Sequence, residues 1–409
     1  MGAAFGHEGA VEQQKILTIG LLLFTASLVA MLSRRLRLPY SVGLVAAGLM
    51  LAISPWKPEL ALSRDLIFQI FLPPLVFEAA MQLHWPAFRR DLPLTLLYAF
   101  PGVAIAAAFV AVGTHYLLGW SWIGAALFGT LIAATDPVAV IAAFKELRVQ
   151  PRLSLLIESE SLLNDGTAAV GFAILVAIAS GASSAPVEIA GMLLWTVIGG
   201  IVAGAIVTGP LLLLTGRTDD HLVEITLSTI AAYGSFLFAE HAGVSGVLAS
   251  LTAGLMVGNI GRLGLVSGRA HLEDFWTYAA FLANSIVFLL IGTNSAGLPL
   301  RLFLGGAAIA VLLMLVGRAL AIYLLSLLVQ RTQLRIGSSY QHVLFWGGLR
   351  GALALALALA LPEQIAERHE IIVVAFAVVA FSIFVQGLTM PWLIRRLGLM
   401  RPEGDQSSL

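Results

Sequence analysis

Residues 121–144 read SWIGAALFGTLIAATDPVAVIAAF, an apolar run with Asp136 and Pro137 near its middle. A helix that spans a bilayer needs roughly 20 apolar residues. Pro137 has no backbone N–H, its ring crowds the carbonyl of Ala133, and the residue before a proline avoids helical geometry. The stretch therefore predicts a membrane-spanning helix that is broken at Asp136 and leaves free carbonyls beside the carboxylate. A proline kink with a buried aspartate is the simpler alternative.

The rest of the chain has the composition of a membrane protein. Of its 409 residues, 59% are hydrophobic and 11% are charged, whereas a soluble domain carries about 25% charged residues. There is no cysteine, which excludes disulfides and thiol catalysis. The apolar runs predict an all-α polytopic membrane protein, a single transmembrane unit over residues 1–409 without a soluble domain. Thirteen candidate spans cover residues 15–33, 40–55, 65–83, 92–116, 121–144, 154–180, 186–215, 221–241, 243–261, 271–293, 300–329, 338–361 and 370–394.

Basic residues in the predicted loops indicate the orientation. With the N-terminus outside, the cytoplasmic side holds Arg34, Arg35, Arg37, Arg89, Arg90, Lys145, Arg148, Arg152, Arg217, Arg262, Arg269, Arg331, Arg335, Arg395, Arg396 and Arg401. The outer side holds Lys15, Lys57, Arg64, Arg301 and Arg368. Cytoplasmic loops are normally enriched in lysine and arginine. We therefore expect a multi-pass protein of the cell inner membrane or plasma membrane, with the N-terminus outside and the C-terminus cytoplasmic.

A polar cluster, Glu160-Ser161-Leu162-Leu163-Asn164-Asp165, lies within the sixth span. Ser161 and Asp165 are four residues apart and share a helix face, while Glu160 and Asn164 share the neighbouring face. At 1.5 Å per residue from Ser154, Asp165 lies about 16 Å deep, near the bilayer centre. A hydroxyl and a carboxylate are hard oxygen ligands that suit sodium. Because burial disfavours a charged carboxylate, Asp165 could alternate between holding a proton and holding a cation.

A third region, Trp346-Gly347-Gly348-Leu349-Arg350-Gly351, interrupts the twelfth span. Glycines weaken a helix and allow close backbone approach, and a buried arginine needs an anionic partner. We assign Glu160 as the partner of Arg350, because Glu160 lies off the proposed ion face. The fifth and twelfth spans are seven apart, so two inverted six-helix repeats would make them equivalents that cross at the midplane.

These regions together resemble the sodium/proton antiporters of the NhaP and NHE kind, in the monovalent cation/proton antiporter family. The resemblance covers roughly residues 15 to 397. It rests on the motifs Phe71-Leu72-Pro73-Pro74-Leu75-Val76-Phe77-Glu78, Ala134-Thr135-Asp136-Pro137-Val138-Ala139, Glu160-Ser161-Leu162-Leu163-Asn164-Asp165-Gly166 and Gly347-Gly348-Leu349-Arg350-Gly351. Weaker matches are 245–249, 288–292 and Arg318.

The resemblance implies secondary active exchange of Na+ (or Li+) for H+ by alternating access, with both ions competing for Asp165. It implies sodium ligands from Ser161, Thr135 and Asp136, with Glu78 approaching through water. Asn164 would hold the broken helices together and, as part of an Asn-Asp pair, would make exchange electroneutral. The resemblance further implies a homodimer in membrane lipid, with a six-helix core that moves against a dimerisation bundle. Transported Na+ and H+ are expected, and no cofactor.

Several alternatives stay open at this point. Potassium could replace sodium, and a passive monovalent cation channel could use similar oxygen ligands. Gly243-Val244-Ser245-Gly246 resembles the serine motif of rhomboid proteases, but the next histidine, His271, should lie a membrane's width away. No two histidines have metal-ligand spacing. Glu158 could line an entry funnel or be a solvated first-turn residue, and we expect Arg318 to brace the core rather than to contact the ion.

Overall fold

The computed structural model describes residues 2–36, 38–55, 62–182, 185–260, 268–297 and 303–400. Within these ranges the chain forms thirteen successive helical rods, two of them interrupted, and no β-strand. Five of the basic residues used for the orientation, Arg37, Lys57, Arg262, Arg301 and Arg401, lie outside the described residues. The helices are α1 (Gly2–Leu36), α2 (Tyr40–Ile53), α3 (Leu66–Gln82), α4 (Trp85–Leu118), α5a (Trp122–Leu131), α5b (Val138–Leu147), α6 (Pro151–Ala179), α7 (Pro186–Thr215), α8 (His221–His241), α9 (Gly246–Ile260), α10 (Arg269–Ser295), α11 (Leu304–Val329), α12a (Ser338–Trp346), α12b (Ala352–Leu359) and α13 (Arg368–Arg396).

The rods follow the thirteen predicted spans, and the prediction of a polytopic all-α protein is confirmed. Eight of the described helices are long and apolar enough to cross a membrane on their own: α1 from Leu17, α4, α6, α7, α8, α10, α11 and α13. The boundary between the eighth and ninth predicted spans is a tight turn. Gly243 has a φ of +70° there, which lets α8 end at His241 and α9 begin at Gly246.

Sequence signals explain the ends of the helices around the interrupted rods. Gly119 adopts the left-handed conformation that ends α4, with a φ of +73°. The Ser121 side chain accepts a hydrogen bond from the N–H of Gly124 and so caps the start of α5a. Pro151 and Pro186 stand in the first turns of α6 and α7, where a missing N–H removes no helix bond.

One contact between the two halves of the chain occurs twice, with the roles of the halves exchanged. The α2 helix packs on α10, and its counterpart seven spans later, α9, packs on α3. Both pairs meet at glycines: a Cβ at Gly48 would overlap the carbonyl of Leu289, and a Cβ at Gly258 would overlap the carbonyl of Met81. The same close contact in both pairs is what two inverted six-helix repeats predict.

The GxxxG motif of α7 packs against the first half of α9. A Cβ at Gly200 would lie 2.7 Å from the carbonyl oxygen of Ser245, and a Cβ at Gly204 would overlap the carbonyl of Ala249. Small residues at this spacing let two helix backbones approach closely. The motif is therefore part of the internal packing of this chain.

Candidate ion-binding site

The two interrupted rods meet at their breaks. Residues 132–137 separate α5a from α5b, and residues 347–351 separate α12a from α12b. The backbone N–H of Asp136 donates to the carbonyl oxygen of Leu349 across the crossing, at 2.8 Å. Both predicted helix breaks are therefore present, and they contact each other directly. Four helix ends point into this crossing, each with a partial charge from its unpaired backbone groups.

Asp136 lies between the two helix N-termini. Its Oδ1 accepts a hydrogen bond of 3.0 Å from the N–H of Val138, the first residue of α5b. The same carboxylate interacts with the N–H of Ala352, the first residue of α12b. A Cβ at Gly351 would overlap the Asp136 carboxylate, so only glycine permits this approach. One negative side chain thus stabilises the positive ends of both half-helices.

Two arginines stabilise the opposite, C-terminal ends. Arg350 Nη1 donates to the carbonyl oxygens of Ala133 and Ala134, at 2.9 and 3.1 Å. Arg318 Nη2 donates to the carbonyl oxygen of Leu344, in the last turn of α12a, at 3.1 Å. Cations are favourable at these partly negative ends, and both guanidinium groups are almost fully buried.

The predicted ion pair between Glu160 and Arg350 is wrong. Glu160 binds Arg318 in a two-pronged pair, with Nη1–Oε1 at 2.7 Å and Nη2–Oε2 at 3.0 Å. The reason is that the broken α5 offers free carbonyl oxygens, which accept hydrogen bonds from Nη1 of Arg350 in place of a carboxylate. Arg318, on α11, lies against Glu160 and binds its carboxylate as well as the carbonyl oxygen of Leu344. The expectation that Arg318 braces the core agrees with this contact.

The serine and the asparagine of α6 attach that helix to the break in α5. Ser161 Oγ donates to the backbone carbonyl oxygen of Thr135 at 2.5 Å, and the two hydroxyl oxygens are 3.2 Å apart. Asn164 Nδ2 lies 3.2 Å from Glu160 Oε1 and 3.4 Å from Thr135 Oγ1. These bonds hold the non-helical segment against α6 beside Asp165.

Asp165 is the middle residue of the 29-residue α6. Its Oδ1 is buried and has no hydrogen-bond partner among the residues that the structure describes. Glu160 is paired with Arg318, and Asp136 bonds to helix N-termini, so these two carboxylates are occupied. Three acids and two arginines therefore meet at the crossing, and Asp165 is the acid with a buried oxygen that has no hydrogen-bond partner in the described part of the chain.

One cavity of about 120 Å³ collects the predicted ligands. That space is enough for several water molecules, since one needs roughly 10–15 Å³. Its lining includes all five predicted residues, namely Glu78, Thr135, Asp136, Ser161 and Asp165. Glu160 and Asn164 lie behind it, fully buried.

The cavity lining also includes Glu158 and Asn284. The structure thus places Glu158 in the cavity rather than on a solvated outer turn. Lys145, in the last turn of α5b, is close enough to act electrostatically on both Glu78 and Glu158. Asn284 on α10 was missed, because a lone asparagine in a long apolar span carries no motif.

A second cavity, of about 310 Å³, lies on the opposite side of Asp165. Its lining includes Ala169, one helical turn beyond Asp165, together with Arg64 and Glu240. Between the two cavities, Gly166 packs so closely on α9 that a Cβ there would lie 2.6 Å from Leu248 Cδ2. Asp165 therefore lines the first cavity and is one helical turn from Ala169, which lines the second.

The contacts of Ser245 and His271 do not support a serine protease. Ser245 Oγ accepts a hydrogen bond of 3.2 Å from the N–H of Leu248 and so caps α9. His271 stacks on His221, with ring centroids 4.7 Å apart, at the start of α10. The 15-residue α9 lies between the two sites. In the described part of the chain, no group of three or more potential ligands could hold a metal ion.

Comparison with known proteins agrees with this geometry. Residues 21–396 match the model of a family described as "Sodium/hydrogen exchanger, transmembrane". This chain belongs to the sodium/hydrogen exchanger family. The exchanger is 40% identical to the Na(+)/H(+) antiporter ApNhaP of Aphanothece halophytica, over 99% of this chain and 78% of that protein. It is also 40% identical to the low-affinity Na(+)/H(+) antiporter NhaS1 of Synechocystis, over 96% of this chain and 75% of that protein.

The fold of the exchanger is that of a solved relative. The sodium proton antiporter MjNhaP1 of Methanocaldococcus jannaschii superposes with a TM-score of 0.74 and 20% identity, over 94% of this chain and 97% of that one. The predictions of an NhaP-type fold and of a Na+/H+ antiporter rather than an enzyme are confirmed.

Proposed function

We propose that the exchanger moves sodium against protons by competition of the two ions at Asp165. The observation that carries this proposal is the buried Oδ1 of Asp165, which has no partner among the described residues and belongs to a side chain that lines a cavity with other oxygens. A carboxylate in that position can hold either a proton or a small cation, but not both at once. Binding sodium then releases the proton, and binding a proton releases sodium.

Hard oxygen ligands around Asp165 support sodium as the cation. We assign the site to Asp165, the hydroxyls of Ser161 and Thr135, and a backbone oxygen at Asp136. Glu78 lines the same cavity and accepts a hydrogen bond from Gln82, so it is placed to contact the ion through water. The curated relatives named above are Na(+)/H(+) antiporters, which favours sodium over the potassium alternative. We expect lithium, a similarly small and hard cation, to be carried too.

The buried charges favour electroneutral exchange. Among the five charged groups at the crossing itself, Glu160 pairs with Arg318 and the charge of Asp136 offsets that of Arg350, so the charge of Asp165 is left over. One sodium ion or one proton makes the site neutral, whereas a bare carboxylate leaves a net negative charge that is costly to move through a membrane. The neighbouring Asn164 cannot ionise and adds no second charge. A stoichiometry of one sodium ion for one proton follows.

Two groups of helices support an alternating-access mechanism. The α2, α3, α7, α8, α9 and α10 helices pack mainly on one another, and α4, α5, α11, α12 and α13 pack with α6 in a second group. We assign the second group, which carries Asp165, as the moving core and the first, with α1, as the dimerisation bundle. Cavities on both sides of α6 then give the carboxylate two exits, of which one is open at a time.

The surroundings of the exchanger complete the proposal. We expect a homodimer in membrane lipid of the cell inner membrane or plasma membrane, and a role in pH regulation. The N-terminus is assigned to the outside and the C-terminus to the cytoplasm, from the distribution of arginine and lysine. On this orientation, the cavity with Glu78 and Glu158 opens to the cytoplasm.

Proton movement in proteoliposomes tests the proposal. A pH-sensitive dye is followed after addition of sodium, lithium or potassium, with and without a potential clamp, for the native protein and for Asp165→Asn. We expect sodium to cause a dye response of the same size with and without the potential clamp, and no response in the variant. Exchange that persists in Asp165→Asn would overturn the proposed site. Sodium flux that cannot drive protons uphill would indicate a channel instead.

A further inference from the structure

Two polar residues of α13 have no role in the site described so far. Ser382 is the middle residue of α13, and Gln386 follows it by four positions. Both lie in a stretch of wide helical turns, Ser382–Gly387, and their exposed fractions are 0% and 1%. Wide turns of this kind are rare and often occur at functional sites.

Both side chains bind the backbone of the break in α12. Ser382 Oγ accepts a hydrogen bond of 2.8 Å from the N–H of Arg350 and lies 3.1 Å from the carbonyl oxygen of the same residue. Gln386 Nε2 donates at 3.1 Å to the carbonyl oxygen of Trp346, the last residue of α12a. The non-helical segment is therefore bound to α13 at both of its ends.

The first half of the chain has the same arrangement around α6. Ser161 donates to the carbonyl oxygen of Thr135 in the break of α5, and Asp165 follows Ser161 by four positions. In both halves, a serine on the helix after the interrupted rod binds the backbone of the break. In both halves, the residue four positions on has a buried oxygen without a partner among the described residues, Asp165 Oδ1 and Gln386 Oε1.

We infer that Ser382 and Gln386 are the second-repeat counterparts of Ser161 and Asp165, and that they act as positioning residues for ion exchange. An amide cannot release a proton, so the position of Gln386 carries no ion. The side-chain amide of Gln386 instead binds the backbone of Trp346, and the Ser382 hydroxyl binds the backbone of Arg350. These two contacts keep the Arg350 guanidinium hydrogen-bonded to the carbonyl oxygens of Ala133 and Ala134. The break in α12 thereby keeps the break in α5, and with it the sodium ligands, in register.

Four variants separate this role from a general effect on folding. Gln386→Leu removes the donor to Trp346, and we expect the KM for sodium to rise about tenfold, as for one lost neutral hydrogen bond. Gln386→Glu donates only while its carboxyl holds a proton. Its activity relative to native should therefore be high at acid pH and fall as the pH rises, whereas that of Gln386→Leu stays flat. Ser382→Ala should raise the KM, and Ser382→Thr, which keeps the hydroxyl, should restore it.

A matched control comes from α8. Ser235 is as buried as Ser382, and its hydroxyl donates at 3.2 Å to Ala232 of its own helix. Ser235→Ala should leave the KM unchanged. An unchanged KM in Gln386→Leu, or a Gln386→Glu profile parallel to that of Gln386→Leu, would overturn the inference.

The KM measurements rest on the proposed function, so a second measurement that does not depend on transport is needed. Hydrogen–deuterium exchange of residues 347–351 should be faster in Ser382→Ala than in native protein, because the N–H of Arg350 loses its acceptor. Exchange at native rates would overturn the positioning role whatever the transport result. Transport by Asp165→Asn, together with faster deuterium exchange in Ser382→Ala, would instead refute the proposed ion site and leave the contact with α13 intact.

Discussion

Removal of either partner of the Glu160–Arg318 pair should destabilise the exchanger strongly. The pair is two-pronged, and the side chains are 3% and 6% exposed. Breaking such a pair leaves an uncompensated buried charge, which typically costs about 3–5 kcal/mol. Arg318→Met and Glu160→Gln should each lower the free energy of unfolding by roughly that amount. The double variant removes both charges of the pair and leaves neither one uncompensated, so it should be more stable than either single variant, with a coupling energy of about 3 kcal/mol.

A second double-mutant cycle serves as the control. Arg350 donates to the carbonyl oxygens of Ala133 and Ala134 and not to Glu160. The coupling of Glu160→Gln with Arg350→Met should therefore stay below about 1 kcal/mol. Unfolding of the purified protein in mixed micelles, titrated with a denaturing detergent, gives both cycles. A larger coupling with Arg350 than with Arg318 would refute the assignment of the pair.

Three further outcomes test the crossing and its surroundings. Gly351→Ala should abolish exchange and lower stability, because its Cβ would overlap the Asp136 carboxylate; Gly209→Ala, with nothing within 4 Å of the added Cβ, should do neither. Asp136→Asn keeps an oxygen for capping, so it should fold with a loss of about 1 kcal/mol. Because it removes the charge that offsets Arg350, it should lose most sodium-driven proton movement in the dye assay. Burial raises the pKa of Glu367, whereas hydrogen bonds from the N–H and the hydroxyl of Ser121, at 2.9 and 3.0 Å, lower it. The lowering is the larger effect, so the net shift of the Glu367 pKa is downward. A lowered folded-state pKa stabilises the protein above the ordinary glutamate value, so the stability difference between native and Glu367→Gln protein should be present at neutral pH and vanish in acid.

The sequence predicts the architecture well because membrane helices leave strong signals. The thirteen predicted apolar spans correspond to the thirteen helical rods of the described residues. A proline in one rod and three glycines in another predicted the two breaks. The spacing of Ser161 and Asp165 also placed their side chains on the cavity face, since helical periodicity fixes which residues share a side.

The sequence could not predict the partners of the two buried arginines. The sequence analysis assigned Glu160 to Arg350, because depth and charge cannot show that the packing of α11 on the crossing brings Arg318 to Glu160 instead. Asn284 and Gln386 were missed for a related reason. Each is a single polar residue in an apolar span, and its meaning depends on which neighbouring helix it faces.

Proton release on sodium binding tests the competition at Asp165 most directly. Sodium is added to purified, sodium-free exchanger in weakly buffered detergent solution near the pH at which the site is protonated, and released protons are counted against bound sodium. We predict one proton per sodium ion for native protein and none for Asp165→Asn. Sodium binding to the native protein without proton release, or undiminished release in the variant, would contradict competition at this carboxylate.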